Sequence, residues 1–321
     1  MPVQLERDDR LREKGEDRRR HPDYPMEPIF HAVAACTPDF DFTAIDLVTD
    51  KNQLRKLFDV CSGNDQRRPF RLNLSRIGRT ILLTHADSDD EVAGQDCPAW
   101  ARNSNELRYG YGYSFEKQFT KKQTDGTHRR ITTFTLGDKI RLLVRHEVDA
   151  ITDRAPESDE KTKKKLRSFA GSTLQVEEAG FFAPSADVYE LKTKCEKYAD
   201  EIRFDEIWAA MLLSGTKRLA LALHTYGAVA KIRDIDVDTI EARVPDDKKN
   251  YLRRLVHLLN EIIDLLRRDH DNGLTLHFDP KENTDLLSVT PRTHYRELLP
   301  ASVAHLLLVK PGGEQKKDPP E

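Results

Sequence analysis

The stretch Ile140-Arg-Leu-Leu-Val-Arg-His-Glu-Val-Asp149-Ala150 decides how this chain is read. Its apolar run predicts a strand over Lys139–Ala150, paired with Ile131–Leu136 through a hairpin turn at Gly137-Asp138. Strand side chains alternate between faces. Glu147 and Asp149 therefore point together, while Val148 points into a core and His146 points away from Glu147. Two carboxylates on one face repel each other. They are tolerated when solvated, or when a cation lies between them, and hard divalent cations take such oxygen donors.

Asp187-Val-Tyr-Glu190-Leu-Lys192-Thr193 repeats the pattern on a second predicted strand. Glu190 and Lys192 share a face and Leu191 takes the other. A carboxylate there can complete a metal site, and the ammonium can hold a phosphate or orient a water. Either triplet alone says little. With 55 acidic residues in 321, about nine acidic-x-acidic triplets are expected by chance. The two carry weight because both lie at strand ends with apolar middle residues.

The elements around them are legible. Helical spacing predicts a short helix at Asn52–Cys61, another at Glu196–Leu213 closed by Gly215, and a long one at Asn250–Arg268 with one apolar stripe. Phe70–Leu74 and Thr80–Thr84 read as strands joined near Gly78. Thr173–Glu178, Arg218–His224, Ala228–Ile235 and a last strand Leu274–Phe278 follow. The pattern is a mixed α/β (α+β) class: twisted mixed or antiparallel sheets flanked by helices, with an acidic cleft between sheets. Residues 1–24 and 311–321 read as charged tails around one domain over 25–310. A charged insertion, 152–170, reads as loop or short exposed helix.

Composition narrows the classes. Charged residues make up 33% and apolar residues 38%, and no apolar run approaches the roughly 18 residues that span a membrane, which argues against a membrane protein. The first residues lack the apolar segment of a secretory signal. Net charge is −3, so no global basic coat for nucleic acid is present. The four cysteines form no C-x-x-C, which fits an intracellular, reducing compartment. Arg18-Arg-Arg-His21 is a weak basic patch of nuclear-localisation type. There is no P-loop, no dinucleotide-binding G-x-G-x-x-G and no Ser/His/Asp constellation.

A third segment, Arg108-Tyr-Gly-Tyr-Gly112-Tyr-Ser-Phe-Glu116, joins glycines and aromatics to a carboxylate. Taken together, the three segments resemble the DXO family of RNA 5′-end decapping and quality-control exoribonucleases. That family is similar in its core to PD-(D/E)XK nucleases. Gly112-Tyr-Ser-Phe-Glu116 resembles its G-Φ-Φ-Φ-E motif, Glu147-Val-Asp149 its E-Φ-D and Glu190-Leu-Lys192 its E-Φ-K. The resemblance extends over roughly residues 50–300. It implies that Glu116, Glu147, Asp149, Glu190 and the Leu191 carbonyl ligate one or two Mg²⁺ or Mn²⁺ ions. It implies that Lys192 contacts the phosphate or the attacking water. The family's lone phosphate-contacting Arg falls on Arg76 or Arg79, with Arg76 preferred. Lys117, Arg129 and Arg130, beside Lys121 and Lys122, are expected to attract RNA.

One departure stands out. Counting from Gly215, the family's late Gln falls on Ala210, so a phosphate contact is missing. The implied function is metal-dependent hydrolysis at RNA 5′ ends, by decapping or 5′→3′ exonucleolysis. The implied partners are RNA 5′ ends and a 5′→3′ exoribonuclease, in a monomer or heterodimer. The alternatives are a PD-(D/E)XK-like DNA nuclease and a catalytically weak RNA-end-binding scaffold.

Overall fold

The computed structural model describes residues 3–8, 24–63, 68–86, 110–121, 128–152, 165–168, 171–172, 174–178, 182–268, 273–283, 286–292 and 297–311. The Arg18–His21 patch, Lys122, Asp269–Asp271 and all but the first residue of the 311–321 tail lie outside them, as does most of the charged insertion.

Two mixed sheets organise the chain. The larger contains β2 (Leu47–Asp50), β3 (Phe70–Ile77), β4 (Thr80–His85), β5 (Arg129–Leu136), β6 (Ile140–Glu147), β13 (Gly273–Phe278) and β14 (Ser288–Pro291), in the order β14-β13-β3-β4-β2-β6-β5. Strand β2 runs parallel to both β4 and β6, and the other pairings are antiparallel. The smaller sheet contains β1 (Val3–Gln4), β7 (Ala150–Ile151), β10 (Val188–Cys195), β11 (Arg218–Thr225) and β12 (Ala228–Asp236), in the order β1-β12-β11-β10-β7, with β10 parallel to β11. A separate hairpin pairs β8 (Lys165–Ser168) with β9 (Gln175–Glu178).

Strand periodicity explains how both faces of the larger sheet are covered. Leu47, Ile81, Leu83, Leu142 and Val144 enter the main core, whereas Val48, Leu82 and Leu143 face a second core with α1 (Glu27–Cys36) and Leu298–Leu307. The main core lies between the two sheets and is filled by helices. Leu54, Leu57 and Phe58 come from α2 (Lys51–Ser62), and Trp208 and Met211 from α4 (Phe204–Leu212). Leu255, Leu259, Ile262, Ile263 and Leu266 come from α6 (Asp246–Arg268). The short helices α3 (Gly112–Phe119), α5 (Val237–Glu241) and α7 (Ala301–Ala304) complete the set. Among the described residues no helix is long and apolar enough to cross a membrane.

Several expectations change. The helix expected over Glu196–Leu213 is divided into a 3₁₀ segment, Glu196–Glu201, and α4. The break is local: Ile202 is extended, and Asp205 and Glu206 favour a new helix start at Phe204. Gly215 closes α4 as expected. It has φ 69°, its N–H reaches the Leu212 carbonyl, and the Thr216 N–H reaches that of Met211. Leu274–Phe278 is followed by another strand, β14, and Lys165–Ser168 within the charged insertion is extended rather than loop or helix. The first residues are not wholly a tail: Val3 and Gln4 pair with Val229 and Ala228, and Leu5 is buried.

Leu259 sits at the centre of the main core and is fully buried. Leu259→Ala is expected to cost about 3 kcal/mol of unfolding free energy through lost transfer energy and a residual cavity. Urea denaturation checks this, and a loss below about 1 kcal/mol would contradict its central place.

Candidate active site

The site forms where the chain passes from one sheet to the other. Strand β6 keeps its register with β5 up to the Glu147–Arg129 pair. The Val148 N–H then bonds the His128 carbonyl, and Ala150 and Ile151 pair with Tyr189 and Val188 of the smaller sheet. The expected strand Lys139–Ala150 therefore ends at Glu147. Glu147-Val148-Asp149 is the joint between the sheets, and Val148 is buried there. Asp149 is fastened across it, accepting a 2.8 Å hydrogen bond from the Leu191 N–H.

Strand β10 presents Glu190 and Lys192 to one side and buries Leu191 on the other. The Lys192 ammonium donates to Glu190 Oε1 at 2.5 Å and to the Leu191 carbonyl at 3.1 Å. A second ammonium meets the same carboxylate: Lys51, opening α2, lies 3.2 Å from Glu190 Oε2. Glu190 is only 7% exposed, so both cations act on it in a poorly screened setting.

The charges respond accordingly. Burial pushes Glu116 up to about 7, helped by the Asp149 carboxylate and less by Glu147, with Lys192 opposing. Burial and then Glu190 raise Asp149. Burial would also raise Glu190, but Lys192 and Lys51 override it and hold this carboxyl at about 2. Burial opposes the Lys192 charge, but Glu190 and Asp149 raise its pKa above the ordinary value. His146 is buried, pushed down to about 4 by that burial, and neutral. Its Nδ1 lies 3.2 Å from the Glu147 carbonyl.

Glu116, Glu147, Asp149, Glu190 and Lys192 are thus electrostatic neighbours, although they come from α3, the sheet joint and β10. Four carboxylates and one strand carbonyl are oxygen donors of the kind Mg²⁺ and Mn²⁺ take. The raised Glu116 and Asp149 mark a group short of positive charge. Among the described residues no three acidic, His or Cys side chains stand close enough together to grip an ion as they are. Two ammoniums hold Glu190 and an N–H holds Asp149, so the donors fit in kind and an ion would have to gather them.

The arginines do not follow the expectation. Arg76 donates to the Arg267 carbonyl and Arg79 pairs with Asp46, just before β2. Lys51 follows the other end of that strand, one strand length away, roughly 13 Å. The registry of β3 against β4 thus commits both arginines to the end of α6, away from the carboxylates. Arg130 donates to the Ala183 carbonyl and the Ser185 hydroxyl, and its guanidinium lies over the Phe182 ring. It therefore braces the segment leading into β10. Arg129 and Lys117 are exposed.

The residues missed in the sequence are Lys51 and the wall beyond it. A cleft of about 600 Å³ opens beside Glu190 and Lys192, lined by Lys51, Arg55 and Lys56 of α2, by Arg68, Lys194 and Arg203, and by the carboxylates of Asp59, Glu201 and Glu206, the last paired with Arg203. Lys51 and Arg55 stand one turn apart on α2. That spacing was the available signal, but it reads equally as a solvated helix face. Burial, and then Arg55, pushes the Lys56 ammonium down to about 8. Ala210 lines the same cleft and offers it no polar side chain.

The family model described as Domain of unknown function (DUF8563) matches residues 1–307. No curated protein matches the sequence. Among solved structures, Scheffersomyces stipitis Rai1 superposes with a TM-score of 0.59 at 15% identity, covering 87% of this chain and 79% of that one. Candida albicans Rai1 in complex with pU5-Mn²⁺ gives 0.55 at 13% identity, over 87% and 79%. K. lactis Dxo1 in complex with manganese gives 0.52 at 13% identity, over 82% and 70%. The mixed α/β fold implied by the resemblance is the fold of these structures.

The raised Glu116 has a stability consequence. Its folded value of about 7 lies above the ordinary value of 4.5, so its ionisation costs stability as pH rises between the two. In metal-free buffer at pH 8, Glu116→Gln is expected to stabilise the protein by about 1 kcal/mol, solvent screening included. The gain is expected to vanish at pH 4, and melting curves at the two pH values check it.

Proposed function

We propose that this chain, which belongs to the DUF8563 family, is a divalent-metal-dependent hydrolase acting on RNA 5′ ends. The observation that carries the reading is the electrostatic coupling of Glu116, Asp149 and Glu190 to Lys192, with Glu147 acting on Glu116, beside a cleft in which basic side chains outnumber acidic ones. Support for metal and RNA comes from fold neighbours, a Rai1 in complex with pU5-Mn²⁺ and a Dxo1 in complex with manganese.

The four carboxylates and the Leu191 carbonyl would hold Mg²⁺ or Mn²⁺. When bound, such an ion supplies a water of lowered pKa and polarises a phosphoryl oxygen. The chain's own residues do the rest. Lys192, oriented by Glu190, stabilises negative charge growing on the phosphate. Lys51 approaches from the other side of Glu190 and takes the part expected of an Arg. Arg55, Lys56 and Arg68 draw the RNA backbone along the cleft. The products follow from this chemistry: a shortened 5′ end and a released phosphate, cap or nucleotide.

Ala210 supports a second reading, an RNA-end-binding protein of low activity, because one cleft-wall contact is missing. A gel assay separates the two, using 5′-triphosphate, 5′-monophosphate and NAD-capped RNA with Mn²⁺. Asp149→Ala and Glu190→Ala are expected to abolish cleavage, as is chelation of the metal. Lys51→Ala is expected to lower kcat about 100-fold, the size of losing one charge-stabilising donor. Tight RNA binding without cleavage by the unmodified protein would establish the second reading instead.

A further inference from the structure

The N-terminal residues reach under the site and fasten to it. The Leu5 N–H bonds the Gly227 carbonyl and the Asp8 N–H bonds that of Gly110, so the segment lies between the β11–β12 turn and the start of α3. Gly227 permits this approach. It has φ 88°, and a Cβ there would meet Tyr111, Gln4 and the Leu5 carbonyl at under 3 Å.

Helix α3 carries Glu116 and needs an outside cap. Its own N-cap residue, Tyr111, makes no side-chain capping bond. Asp8 provides one, from more than 100 residues away: Oδ2 accepts from the Tyr113 N–H at 3.2 Å and Oδ1 from the Ser114 N–H at 3.0 Å. The Ser114 hydroxyl in turn accepts from the Glu6 N–H at 2.9 Å. A carboxylate at this end also suits the helix dipole.

Leu5 completes the arrangement. It is buried with Phe115, Leu191, Ala222 and Val229, against Ala150. Phe115 adjoins Glu116, Leu191 stands between Glu190 and Lys192, and Ala150 follows Asp149. One side chain from the segment thus packs beneath the neighbours of nearly every proposed ligand.

We infer that Val3–Asp8 is a positioning strap for the carboxylate site, in which Asp8 sets the place of Glu116 through the first turn of α3. The inference rests on the metal-hydrolase reading and extends it to residues that touch neither metal nor RNA. Because Glu116 lies about one turn beyond the capped amides, loosening that turn moves a ligand.

The test compares Asp8→Ala and Asp8→Asn with the unmodified full chain. It uses Mn²⁺ titration by calorimetry at pH 8 and amide exchange at Tyr113 and Ser114 in metal-free buffer. Asp8→Ala is expected to weaken Mn²⁺ binding about 10-fold, as loss of an outer-shell partner does, and to speed exchange at both amides. Asp8→Asn keeps one accepting oxygen of the two and loses the charge, so it is expected to lose clearly less Mn²⁺ affinity than Asp8→Ala, about threefold, and to keep protection at one of the two amides. Unchanged Mn²⁺ affinity in Asp8→Ala would overturn the strap, as would equal losses in both variants, which would make charge rather than capping the cause. If the unmodified chain takes up no Mn²⁺, the metal reading falls and the positioning role with it, while the exchange data still report whether Asp8 caps α3.

Discussion

Like charges within one another's field at a joint between two sheets set the terms for this structure. Carboxylates close enough to shift one another's protonation cost folding free energy, and a domain is held folded by only about 5–15 kcal/mol. Glu116, Glu147, Asp149 and Glu190 are brought near one another only because the main core locks the sheets in place around α2, α4 and α6. The core supplies the free energy that the carboxylate group consumes. The group meets the repulsion in different ways: Glu116 holds its proton to about pH 7, and Glu190 takes two ammoniums.

Those ammoniums give the site its character. In the proposed function, a divalent ion and a phosphate would bring opposite charges to the same place, and the site would have to accommodate both. Carboxylates alone would repel the phosphate, and lysines alone would repel the ion. Lys192 and Lys51 flank Glu190 and line the cleft with it, whereas Asp149 and Glu116 are not among its lining residues. The cleft continues this positive character along α2 through Arg55 and Lys56. A chain with net charge −3 can therefore present a groove in which basic side chains outnumber acidic ones. Global charge says little about a local surface.

Much of the candidate site was legible because its residues sit in short motifs with strand periodicity. Glu190, Leu191 and Lys192 alternate as expected, one apolar side chain between two polar ones that meet on the other face. Glu147 and Asp149 share a joint rather than the continuous strand that alternation predicts, since β6 ends at Glu147 and the chain joins the smaller sheet at Ala150. The arginines were misplaced because Arg76 and Arg79 occupy a hairpin whose position in the sheet no local pattern reports. Lys51 was missed for the same reason, and Asp8 because a charged N-terminal run reads as solvated unless its partner is in view.

The sequence by itself determined the local elements and the order of the motifs. The apolar stripe of α6, the hairpins at Gly78, Gly137 and Gly227, and the paired polar residues on β10 all follow from backbone periodicity and turn chemistry. Only the tertiary structure decided which charges meet. Lys51 and Glu190 are 139 residues apart, and Asp8 and Ser114 are 106 apart. Such contacts depend on how the sheets pack across a shared core. That packing is a property of the whole buried surface, and no short stretch of residues encodes it.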